Sequence, residues 1–235
     1  MERKTRFSID KLDQLGLKVE AVLGIGAEAV LLRCRWRGYE VVAKYRLSKS
    51  YRIRELDESL RRNRTVLEAK LLATCRRLGV PAPSLLYIEP EMYVLLMDYI
   101  PGKRLIDVLA QLADSSKIFE RLGVYVGRLH SNGVVHGDLT LANIIMHEDR
   151  EYLIDFGLGA FTYNVEDQGV DVHLLLRSIE STFPSLARPL YHAFLKGYGN
   201  VRGEEEKLRI RQKVREIRMR GRYIAERRIT RIRKD

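Results

Sequence analysis

Apolar and polar residues alternate from residue 17 to residue 45, and the alternation breaks at Gly24 to Gly26 and again at Arg37-Gly38. A period of two with turn residues at the breaks predicts a meander of short strands, each burying one face. The period then changes. From about Glu55 to Leu78, Leu56, Leu60, Leu67, Leu71 and Leu72 recur at helical spacing, and Gly79 with Pro81 and Pro83 behind it marks a stop. That pattern predicts one long helix. LLYI and MYVLLM, parted by Glu89-Pro90-Glu91, predict a further hairpin. Beyond Lys103 the pattern is mainly helical. Ile118, Leu122, Val126 and Leu129 share a face of a helix that Asn132-Gly133 ends, another helix begins near Asp171, and another covers about Ser185 to Tyr198. There is no internal repeat and no low-complexity segment.

Composition adds limits. The 235 residues, 46% apolar and 31% charged, can bury a real core as one larger domain or two small lobes. No apolar run reaches the roughly 20 residues of a membrane span. MERKTRFSID lacks the apolar core of a secretory signal, so a cytoplasmic protein without membrane contact is expected. Cys34 and Cys75 have no CxxC spacing and read as packed small hydrophobes.

Charge changes the picture more. The net charge is +11, and from Lys207 to Asp235 there are 13 Lys and Arg against 3 acids, a surplus of ten. A basic terminal segment beside a nearly neutral body suggests contact with a polyanion, nucleic acid above all. A solvated helix face in a heat-adapted protein accounts for the same run.

The chemistry is concentrated in a few short stretches. Gly24-Ile25-Gly26-Ala27-Glu28-Ala29 is a small-residue turn whose backbone N–H groups can approach phosphate oxygens, or a plain hairpin turn. Lys44, in VVAK on a central strand, needs a carboxylate partner if buried. Glu68, in RTVLEAKLL, is the best placed, because Glu55 and Glu58 lie earlier and face solvent. HGDLTLANIIM holds Asp138 and Asn143 at the D-x-x-x-x-N interval, and Asp155 opens an intact D-F-G after the apolar Leu153 and Ile154.

This order of parts resembles the protein-kinase-like fold: α+β, two-lobed, with a β-rich N-lobe carrying one long helix over 1–98, a reduced helical C-lobe over 99–200, and a basic C-terminal tail over 201–235. The resemblance implies ATP and Mg²⁺. The Gly-rich turn (24–29) covers the phosphates, and Lys44, paired with Glu68, holds them. Met97 backs the adenine pocket, with backbone groups of Asp98 and Ile100 facing the base. Asp138 accepts or orients the proton of the attacking hydroxyl or water, and Asn143 and Asp155 hold the metal. His136 reads as a structural histidine packed under the catalytic loop.

Two departures narrow the class. Gly137 stands where regulated protein kinases carry an Arg that pairs with a phosphorylated activation segment. Only about ten residues follow Asp155-Phe156-Gly157 before the next apolar helix, with no A-P-E, so the platform for a peptide substrate is absent or very short. Asp171 lies where the fold often braces the catalytic loop, although an acid near a helix N-terminus has a simple electrostatic reason to be there.

The phrases GAEA (26–29), RELDESLRRNRTVLEAKLL (54–72), HGDLTLANII (136–145), IDFGL (154–158), EDQGVDVHLL (166–175) and RMRGR (218–222) resemble the small atypical kinase of the KEOPS complex, the bud-site-selection or PRPK type, itself similar to RIO kinases. The resemblance implies an ATPase or Ser/Thr kinase working beside a threonylcarbamoyl-transferring subunit and other KEOPS subunits in modifying adenosine in tRNA. It leaves Arg218, Arg220 and Arg222 as candidate contacts to tRNA phosphates. Two rivals have other chemistry: a small-molecule kinase of the aminoglycoside or lipopolysaccharide-sugar type, and a tRNA-binding scaffold with a structural nucleotide.

Overall fold

The computed structural model describes residues 12–232, with the backbone alone from 221 onward. The chain divides into two compact units, 1–73 with 83–101, and 74–82 with 102–235.

The first unit is built on a five-stranded antiparallel sheet of β1 (Leu17–Ile25), β2 (Ala29–Trp36), β3 (Tyr39–Arg46), β4 (Leu85–Glu89) and β5 (Val94–Asp98), in the order β1-β2-β3-β5-β4. Alternation decides which residues are buried. Val30, Leu32 and Cys34 of β2 and Val41 and Ala43 of β3 point into one core with Val94 and Leu96, while Lys44 and Arg46 lie on the other face of β3. The long helix α1 (Arg54–Arg77) carries Glu68 to that second face. Its buried positions include Leu71 and Leu72, but Leu56 is exposed, so the apolar stripe starts later than its leucine spacing predicts. Segment 47–53 joins β3 to α1.

In the second unit α1 ends in its last turn and Gly79 takes φ +64, with Val80 N–H donating to Cys75 O at 2.9 Å. Residues 103–153 are less helical than their pattern predicts. β6 (Lys103–Arg104), β8 (Ile144–His147) and β9 (Arg150–Leu153) form a small sheet in the order β6-β8-β9, and β7 (Val134–Val135) pairs with β10 (Ala160–Phe161). These strands are too short for periodicity to reveal. The helices are α2 (Leu105–Val108), α3 (Ser115–Ser131), α4 (Val165–Thr182), α5 (Pro184–Arg202) and α6 (Glu204–Ile232). α3 packs most extensively on α5, and α6 on α4. α4 starts at Val165, six residues before Asp171, behind the N-cap Asn164, whose side chain accepts from Glu166 N–H at 2.8 Å. The expected tail over 201–235 starts on the end of α5 and, from Glu204 to Ile232, is the helix α6, part of this unit.

Cys34 and Cys75 are both free and fully buried; burial pushes their thiols up to about 11 and about 12, so neither is a thiolate at neutral pH. Among the described residues no helix is long and apolar enough to cross a membrane.

Candidate active site

In the first unit, Lys44 Nζ donates to Glu68 Oε1 at 2.6 Å, and Arg46 Nη2 donates to Glu68 Oε2, also at 2.6 Å. All three side chains are at most 5% exposed. Buried charges persist only when paired and hydrogen-bonded, and here one carboxylate serves two cations. Arg46 is the member that sequence reading missed. The signal was available, since residues 44 and 46 of a strand share a face.

The Gly-rich turn is tied down by side chains. Gly24 and Ile25 still belong to β1, Ala29 begins β2, and Gly26 N–H closes the turn on Ala29 O at 2.8 Å, so that amide is already used. Glu28 brings a negative charge to the turn. Arg64 of α1 ion-pairs with its carboxylate, and Arg52 of segment 47–53 lies 3.5 Å from it. Its backbone carbonyl accepts from Leu47 N–H at 2.9 Å, and Lys49 Nζ donates to Ala27 O. Arg52 and Arg64 thus offset the acid that otherwise sets this turn against a polyphosphate.

Met97 is buried at the end of β5, paired with Val42 and Leu85. Asp98 N–H donates to Ser84 O at 3.1 Å and its carboxylate accepts from Ser84 N–H at 2.5 Å. That amide is therefore already used, and Ile100, two residues on, is buried.

In the second unit, Asn143 Nδ2 donates to the backbone O of Asp138 at 2.8 Å and to Asp138 Oδ2 at 2.9 Å. A carboxylate only accepts, so this contact fixes the amide's orientation and leaves Asn143 Oδ1 as a free oxygen donor. Ile144 pairs with Leu153, and Ile154 N–H donates to Asn143 O at 2.9 Å. That register brings Asp155 beside Asn143. Asp155 takes φ +62, uncommon for a residue with a side chain, and its Oδ1 accepts from Gly157 N–H at 3.2 Å.

The loop bearing Asp138 is held from below by Asp171, whose carboxylate accepts from His136 N–H at 2.6 Å and Gly137 N–H at 2.8 Å. Asp171 therefore sits inside α4 as a brace, and its place is not explained by a helix end. It also meets His130 Nε2 at 3.4 Å, whose Nδ1 lies 3.1 Å from Tyr198 OH. Ser178 Oγ, a second brace absent from the sequence reading, accepts from Leu141 N–H at 2.9 Å. His136 is buried, its Nε2 3.0 Å from Ile154 O and its ring 4.5 Å from that of Phe156, a packing role. Gly137 takes φ +81, and a Cβ there would fall 2.1 Å from Leu158 O. No arginine fits at that position.

On α6, Arg218 Nη1 lies 2.8 Å from Glu180, and Arg220 pairs with Glu166. Two of the three arginines expected to reach tRNA phosphates thus already hold carboxylates of α4; the side chain of Arg222 lies outside the described residues.

Residues 17–176 match the protein kinase domain family. The chain is 42% identical over 186 residues to the KEOPS complex subunit Bud32 of Pyrococcus abyssi, covering 78% of this chain and 84% of that protein. It is 38% identical over 206 residues to a probable serine/threonine-protein kinase BUD32 homolog of Archaeoglobus fulgidus, covering 88% and 97%. It is also 40% identical over 202 residues to a probable bifunctional tRNA threonylcarbamoyladenosine biosynthesis protein of Methanothermobacter thermautotrophicus, covering 86% of this chain but only 36% of that longer protein. Among solved structures, the Rio2 kinase-ADP/Mg²⁺-phosphoaspartate complex of Chaetomium thermophilum superposes with a TM-score of 0.64 at 15% identity, covering 92% of this chain and 75% of that one, a likeness of fold. With the kinase domain model spanning most of the chain and the Pyrococcus and Archaeoglobus relatives matched along most of their length, the chain belongs to the Bud32 family of atypical protein kinases.

Proposed function

We propose that the chain is an Mg²⁺- and ATP-dependent serine/threonine kinase or ATPase that acts in the cytoplasm as a KEOPS subunit, beside a threonylcarbamoyl-transferring subunit, in threonylcarbamoyladenosine modification of tRNA. The observation that carries the chemistry is the Asp138–Asn143–Asp155 cluster, in which Asn143 bonds Asp138 and the β8–β9 register sets Asp155 next to it.

The donor set fits Mg²⁺. Asn143 Oδ1 and the Asp155 carboxylate are hard oxygen donors, few in number, as suits an ion that keeps several waters and takes the rest of its shell from phosphates. When bound, the ion neutralises phosphate charge. Asp138 shares one oxygen with Asn143 and offers the other to the proton of a hydroxyl or water. Lys44, held by Glu68, binds nucleotide phosphate, and the turn 24–29 lies over it with Glu28 neutralised by Arg52 and Arg64. The short segment between Asp155 and α4 offers little platform for a peptide, which supports water as one acceptor.

A direct test is γ-phosphate release from Mg²⁺-ATP by the full chain, alone, with a tRNA transcript, and with a threonylcarbamoyl-transferring KEOPS subunit. Release stimulated by the subunit or the transcript is expected. Transfer of the phosphate to an aminoglycoside or a lipopolysaccharide sugar, with no response to either addition, contradicts the proposal.

A further inference from the structure

A cavity of about 550 Å³ in the second unit shares no lining residue with the candidate active site. Its walls include Glu180 of α4, Arg188 and Tyr191 of α5, and Arg211, Arg215 and Arg218 of α6. Four guanidinium groups face one carboxylate there, and that carboxylate is taken by Arg218. Among the described residues Arg188, Arg211 and Arg215 have no ion-pair partner.

The neighbouring face of the same helix is different. Arg209 and Lys213 each pair with a glutamate, so that face of α6 is neutralised, while Arg211 and Arg215 on the cavity side have no ion-pair partner among the described residues. Solvation alone gives no reason for that split. Positions 211, 215 and 218 form a single row along the helix, roughly 10 Å long at 1.5 Å per residue, which exceeds the width of one anion.

A second observation lies at the base of this row. The Tyr191 hydroxyl oxygen is buried and meets no hydrogen-bond partner among the described residues. Burial pushes its pKa up to about 12 against the pull of Arg211, Arg218 and Arg215, so the hydroxyl is a protonated donor surrounded by cations. His173 Nδ1 is likewise buried without a partner, and burial, then Arg177 and Arg218, hold that imidazole below its usual pKa.

We propose that this cavity docks the phosphate groups of a nucleic-acid strand, with Arg188, Arg211 and Arg215 engaging successive phosphates and the Tyr191 hydroxyl donating to one of them. Guanidinium forks match phosphate oxygens two at a time, and contacts of this kind position a strand without reading its sequence. The assignment rests on the tRNA reading above only for the choice of probe.

The experiment follows binding of a labelled tRNA transcript to the full chain by fluorescence anisotropy at several potassium chloride concentrations. Arg211→Gln/Arg215→Gln is expected to weaken binding more than tenfold at low salt. It should also reduce the slope of log affinity against log salt by about 1.4 to 1.8, the loss of two phosphate contacts. Arg188→Gln, on another helix, should reduce it by about half as much. Tyr191→Phe should weaken binding several-fold, leave the slope unchanged, and melt no lower than the wild type. Lys18→Gln/Arg37→Gln removes two exposed charges of the first unit and should barely move the slope. An unchanged slope in Arg211→Gln/Arg215→Gln, or an equal change in the Lys18/Arg37 control, overturns the proposal. So does capture by phosphatidylserine vesicles as tight as by the transcript and equally sensitive to Arg211 and Arg215. ATP turnover by the wild type tests the kinase reading separately.

Discussion

Arg46 and Lys44 hold opposite oxygens of the same buried carboxylate, each at 2.6 Å from Glu68. Glu68 keeps its contact with Lys44 if Arg46 is lost, whereas neutralising Glu68 takes its negative charge away from both cations at once. Glu68→Gln should therefore cost about 3–5 kcal/mol of stability and Arg46→Met clearly less. Urea denaturation of the two variants decides; an Arg46→Met loss as large as that of Glu68→Gln contradicts the shared-carboxylate arrangement.

Gly137 is fixed by space and by backbone. With φ +81 and Leu158 O 2.1 Å from the site of a Cβ, even Gly137→Ala should distort the Asp138 loop, costing about 1–3 kcal/mol and most of the ATP turnover. A variant melting within a degree of the wild type at full turnover refutes this.

Much of this was legible in advance. Lys44, Glu68, Asp138, Asn143 and Asp155 are chemically conspicuous polar residues inside apolar stretches, and the period of two over 17–45 marked the strands that carry the first of them. What stayed hidden depends on tertiary pairing. Arg46 was one ordinary basic residue among many until its partner was known. Ser178 and the true start of α4 hinge on contacts between elements and on a cap, and the two- to four-residue strands β6 to β10 are too short to have a period. The basic run after Lys207 was visible as charge, but its division between paired and unpaired faces of α6 was not.

Arg64 and Arg52 offset Glu28 in the Gly-rich turn, so losing one should hurt ATP binding through repulsion. Arg64→Ala should raise KM for ATP roughly fivefold, the order of a 1 kcal/mol partly exposed pair, with little change in kcat. Adding Glu28→Gln should restore most of it. A double variant as impaired as the single one argues that Arg64 contacts phosphate itself.

Asp57 anchors segment 47–53: its Oδ1 accepts from Lys49 N–H at 3.2 Å and its Oδ2 from Arg61 at 2.8 Å. Burial pushes its pKa up, but the Ser48 hydroxyl, Arg61 and the Lys49 amide outweigh it, and the net direction is down. A carboxylate with a depressed folded pKa stabilises above its unfolded value, about 3.9, and that contribution fades as pH falls through the folded pKa. The stability gap between wild type and Asp57→Asn, from urea midpoints, should be full at pH 6 and shrink below about pH 4. A gap that is constant from pH 6 to pH 3 contradicts the assignment.

The central claim is that Asp138 and Asp155 serve phosphate chemistry with Mg²⁺ and ATP. The most direct measurement is Mg²⁺-dependent γ-phosphate release by wild type, Asp138→Ala and Asp155→Ala, each shown to be folded by its melting curve. The account predicts turnover reduced by about 10²- to 10⁴-fold in both variants; equal turnover in all three proteins contradicts it.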